Sequence, residues 1–88
     1  MWPSLAAMRA AVGKPGGKVI EHTTGGKLSL AGLAAAFGTS PATVLRLTAD
    51  HFPAGYPAPV TAYLNGVFGG TIKASEPMPK GLVLYLPA

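Results

Sequence analysis

The chain has 88 residues, no cysteine, and seven Lys/Arg against three Asp/Glu for a net charge of +4; 49% is hydrophobic and 11% charged. That length holds one small domain with a thin stability margin, and with no thiol neither a disulfide nor a cysteine zinc site reinforces it. Low charge with positive mean hydropathy excludes a disordered tail, and no stretch reaches the roughly 20 apolar residues that span a bilayer.

Residues 3–12 predict a helix. Pro3 suits a first turn, Leu5, Met8 and Val12 recur at spacings of three and four, and Gly13 with Pro15-Gly16-Gly17 ends it. The stretch Met1–Gly13 has neither a basic start nor an unbroken apolar run, so no signal peptide is expected. Lys18–Thr24, KVIEHTT, reads as a short strand, and Gly25-Gly26 turns the chain. Ser29 stands as an N-cap before Leu30, Leu33, Ala34 and Phe37, a stripe at i, i+3, i+4 and i+7. Phe37 on that stripe is expected to be core.

Gly38 closes this helix, and Ser40 (N-cap) with Pro41 (N1) opens another that carries Val44, Leu45 and Leu47 and fades near Ala49. Pro53, Pro57 and Pro59 predict extended or turning chain over residues 51–59. Val60–Leu64 then alternates, Asn65-Gly66 follows, and Val67–Ile72 lies beyond. Asn-Gly between apolar runs predicts a β-hairpin, with Gly69-Gly70 as a bulge. Residues 60–72 should then be dispensable for the core. Gly81–Leu86, GLVLYL, reads as a buried closing strand.

The block from strand to strand resembles the LysM family, a short β-α-α-β module. Ser29-Leu30 falls where that family has Thr-Leu, and Leu33-Ala34 where it has Ile-Ala. Phe37-Gly38-Thr39 matches its aromatic-Gly-Thr, Thr43–Leu47 its second helix, and Gly81–Pro87 its last strand. The resemblance covers residues 18–49 and 80–88. The chain departs from the pattern at three places. The acidic turn residue is missing at Gly26-Lys27-Leu28, Thr48 stands where asparagine is usual, and residues 50–79 intrude before the last strand. The resemblance implies an α+β fold with a LysM-like β-α-α-β core, to which the chain adds an N-terminal helix and linker over residues 1–17 and an inserted β-hairpin. The LysM-like domain would be residues 18–88.

Chemistry-bearing groups are sparse. Glu21, Asp50 and Glu76 are not spaced for paired acid/base work, and Glu21 and His22 point to opposite faces of a strand. His51 sits where it would serve the end of a helix, and two histidines without a third ligand make no metal site. The scattered basic residues lack aromatic interleaving, so no nucleic-acid partner is expected. No enzyme activity, cofactor, metal or membrane association is expected.

Two functions lead, ahead of a third, a bacterial accessory subunit unrelated to virions. LysM-like modules join protein parts in phage tails and baseplates, so the resemblance implies a structural protein of a virion, made in the host cytoplasm. A tail or baseplate is preferred to a capsid, with other virion or assembly proteins as multi-copy partners. Docking is expected through the apolar additions, Trp2, Leu5, Met8, Tyr63 and Phe68, the alternative for Trp2 and Met8 being packing on the chain's own core. The alternative is peptidoglycan or N-acetylglucosamine binding. Its groove would be lined by Gly26, Lys27, Leu28, Ala49 and Asp50, with Tyr56 either a stacking face or a proline-flanked loop aromatic that packs locally.

Overall fold

Three serines set where helices begin. Ser4 Oγ accepts from the Ala7 amide at 3.1 Å, Ser29 Oγ from Gly32 at 3.0 Å, and Ser40 Oγ from Thr43 at 3.2 Å. Each bond satisfies one of the orphan amides of a first turn, a contribution of about 1 kcal/mol. The helices they open are α1 (Leu5–Val12), α2 (Leu30–Ala36) and α3 (Pro41–His51). The computed structural model describes residues 2–52 and 54–88. Met1, and Pro53 with its expected extended geometry, lie outside the described residues.

Two strands, β1 (Val19–Thr23) and β2 (Val83–Pro87), pair antiparallel with Glu21 opposite Tyr85. Among the described residues, four helices and this two-stranded sheet make a small α+β domain. Leu84 and Leu86 are buried on the face of β2 that meets the helices, and α3 packs along β2. Met8 of α1 is buried in the same cluster as Leu30, Leu33, Val44 and Leu45, so the N-terminal helix belongs to the core.

The expected hairpin is not a hairpin. Residues Ala58–Phe68 form a helix, α4, and Val60, Tyr63, Leu64 and Val67 are its buried face. Those four recur at i, i+3, i+4 and i+7, a helical period that overrides the Asn-Gly turn preference. Gly66 lies inside α4 because Ile72 packs there: a Cβ at Gly66 would stand 2.7 Å from Ile72 Cγ1. The Gly66 carbonyl also accepts from the amides of both Thr71 and Ile72 at 2.9 Å, turning the chain back after the helix. Residues 60–72 are therefore part of the core and not dispensable to it.

Phe37, expected in the core, lies at the surface. It is the C-cap residue of α2 and is 39% exposed, while Leu30, Leu33 and Ala34 supply the buried stripe. The left-handed Gly38 (φ 67°) turns the chain directly after it, so the i+7 position lies past the last helical turn.

Candidate functional site

Thr24 ties the end of β1 to the segment that returns from α4. Its hydroxyl donates to the Pro79 carbonyl and accepts from the Leu82 amide at 2.9 Å. The Gly81 amide donates to the Thr24 carbonyl at 2.8 Å, and the Met78 amide to the Leu28 carbonyl at 2.9 Å. The loop after β1 and the return segment are thus hydrogen-bonded to each other. Beside them lies an open pocket of about 320 Å³ lined by His22, Thr23, Thr24, Gly25, Lys27, Leu28 and Met78.

Exposed apolar side chains lie close to His22, one of the residues that line this pocket. Among the described residues the exposed large hydrophobics are Val19 at 39%, Ile20 at 41%, Leu28 at 50% and Phe37 at 39%. Ile20 and His22 share one face of β1 by strand alternation. The Phe37 ring meets the His22 ring edge-on with centroids 6.3 Å apart, and Leu28 shares the pocket with His22. Three of the four exposed side chains therefore surround one half-buried histidine. Sequence alternation alone did not mark this surface, because an exposed Ile20 on a half-covered strand has the same pattern as a buried one.

The opposite face of the sheet is closed by aromatics. Tyr85 stacks on His51 with centroids 3.6 Å apart, and Phe52 contacts both Tyr85 and Tyr56 edge-on. The Tyr85 hydroxyl donates to the Glu21 carboxylate at 3.1 Å. Burial and that carboxylate raise its pKa above the ordinary tyrosine value.

The residues expected to bind a partner separate in space. Met8 and Tyr63 are buried in the core, Tyr63 at 2% exposure, and cannot dock a partner. Burial is what their helical spacing encodes. Trp2, Leu5 and Phe68 are half-buried and pack against that core.

The expected glycan groove is also divided. Lys27 and Leu28 line the pocket and Gly26 lies beside Lys80. Ala49 is fully buried, which removes it from any groove. Asp50 is held by Arg46 at 3.2 Å and Arg9 at 3.8 Å, tying α3 to α1, and Tyr56 belongs to the aromatic cluster. Met78, from the return segment, lines the pocket, and neither Ala49 nor Asp50 does.

Among the described residues no group of three or more His, Cys, Asp or Glu is placed to hold a metal ion, and no single helix is long and apolar enough to cross a membrane. No protein-family model, curated protein or solved structure matches the chain.

Proposed function

We propose that the chain is a non-enzymatic docking module of a phage virion, in the tail or baseplate rather than the capsid, joining protein parts through the surface around β1. The observation that carries the docking is the gathering of Ile20, Leu28 and Phe37 around His22, while the apolar face of α4 is spent on the core. Contiguous exposed apolar surface on a small domain marks an interaction site. The virion setting is drawn from the LysM resemblance of residues 18–49 and 80–88, and the order β1-α2-α3 followed by an antiparallel β2 is compatible with it.

A second reading, N-acetylglucosamine binding, is favoured by one observation. The pocket falls at the loop after β1, where the resemblance places the sugar, and Lys27 and Leu28 line it. Against it, none of Trp, Tyr or Phe lines that pocket to stack on a sugar ring, and Tyr56 is engaged with Phe52.

Sedimentation of the purified chain with insoluble peptidoglycan and with chitin at moderate salt separates the two readings. The docking reading expects the chain to stay in the supernatant and to be recovered, in many copies, from purified particles of the genome that encodes it. Saturable pelleting with either polymer would overturn it.

A further inference from the structure

We propose that β1 takes up an extended peptide segment of a partner protein, acidic at both ends, as a third strand of the sheet. The proposal rests on the docking reading above and names its surface and the chemistry of the partner.

The backbone of β1 offers a free edge. The Ala88 amide donates to the Lys18 carbonyl at 2.9 Å and the Thr24 amide to the Leu82 carbonyl at 2.9 Å. With the register between them fixed, Lys18, Ile20, His22 and Thr24 turn their peptide groups toward β2. Val19, Glu21 and Thr23 turn theirs outward, and no described residue bonds to them there. The other edge of the sheet is closed, because the Tyr85 amide donates to the Thr48 hydroxyl at 2.9 Å. Outward donors and acceptors at every second residue are what an added strand pairs with. β1 has no proline or interior lysine to block such pairing, and Ile20 with Phe37 and Leu28 offers apolar cover to alternate side chains of the guest.

Charge decides what the guest is. Lys18 leads into β1, Lys27 follows it, and Lys80 packs beside Gly26 at the same end as Lys27. All three are exposed, and none makes an ion pair with a described residue. Glu21, the one acid on the strand, already accepts from Tyr85. A second copy pairing antiparallel would turn the Lys18 end of one chain toward the Lys27 end of the other, with +4 on each. A segment with a carboxylate at either end meets a free cation at either end instead.

The test is a titration of the isotope-labelled full chain, followed by amide NMR, with a capped synthetic peptide that alternates valine and threonine between terminal glutamates. Two control peptides carry N-methyl groups on alternate amides, or lysines in place of the glutamates. The expected result is saturable shifts at the Val19, Glu21 and Thr23 amides. Affinity should fall about tenfold or more for each control peptide, and should weaken with salt. Thr23→Pro should lower it by about tenfold as well without changing the melt, since the Thr23 amide bonds nothing within the fold. If that variant fails to fold, the N-methylated peptide decides alone.

The proposal is overturned by the absence of shifts at millimolar peptide, by equal binding of the N-methylated or lysine-ended peptide, or by a dimer whose β1 amides are already protected. Failure here with no glycan pelleting sinks the strand-addition proposal alone; glycan pelleting sinks the docking reading whatever the peptide does.

Discussion

Thr48 and Tyr85 share the hydrogen bond that closes one edge of the sheet. The Thr48 hydroxyl accepts from the Tyr85 amide at 2.9 Å while it donates to the Val44 carbonyl at 2.8 Å, and Thr48 is fully buried. One small side chain thus serves a helix carbonyl and a strand amide at once. Thr48→Val keeps the volume and leaves the Tyr85 amide buried without a partner, so it should cost about 1–3 kcal/mol. Thr48→Ser should retain most of that stability, and urea denaturation midpoints of the two variants check the difference. Equal midpoints would mean that the bond does not hold α3 to β2.

Gly66 sets two effects against each other. Gly→Ala inside a helix usually stabilises by about 1 kcal/mol. Here the new methyl would meet Ile72, whose Cγ1 lies 2.7 Å from the position of the added carbon. Overpacking of this kind costs about 1–3 kcal/mol. Gly66→Ala should therefore lower the melting temperature, and Gly66→Ala combined with Ile72→Ala should recover part of the loss.

Leu33 inside α2 and Phe37 at its C-cap contrast in burial. Leu33 is 1% exposed, so Leu33→Ala should cost about 2–5 kcal/mol. Phe37, at 39% exposure, should cost about 1 kcal/mol or less on truncation to alanine. Chemical denaturation of both variants checks this ordering, and the reverse ordering would place Phe37 in the core after all.

Tyr63 buries a hydroxyl that finds no hydrogen-bond partner among the described residues. Its pKa is pushed up to about 12, first by burial and then by the nearby Glu76 carboxylate. The folded value lies above the unfolded value of 10.0, so the stability this group contributes is whole below pH 10 and is lost as pH rises through about 12. Between those limits it should steepen the loss by up to about 1.4 kcal/mol per pH unit. Tyr63→Phe should be neutral to about 1 kcal/mol stabilising at pH 7 and should flatten that alkaline limb. Tyr85, also raised, remains to titrate. Denaturation midpoints from pH 7 to pH 12 read both effects.

Much of the framework is legible in local chemistry. Ser29, Ser40 and Pro41 announce helix starts, and Gly13 and Gly38 announce helix ends, because capping depends on the residues themselves. The strands are legible for the same reason, within one or two residues at each end. What local chemistry hides is decided by distant partners. Asn65-Gly66 favours a tight turn in isolation, and only the burial of Val60, Tyr63, Leu64 and Val67 against the rest of the chain makes it helix. The site is hidden for a related reason: Lys27 and Leu28 are legible as pocket residues, whereas Met78 reaches the same pocket through the return from a helix that sequence pattern reads as a hairpin. The free edge of β1 follows from which side of the sheet Thr48 closes, a relation between residues 48 and 85 that no local pattern encodes.

The measurement that bears most directly on the account is incorporation of an Ile20→Asp, Phe37→Asp chain into particles, quantified by mass spectrometry against the unaltered chain. Both side chains are exposed, so the altered chain should fold. The account predicts a folded protein that is lost from the particles. A folded variant present at the copy number of the unaltered chain would contradict the assignment of this surface as the docking face.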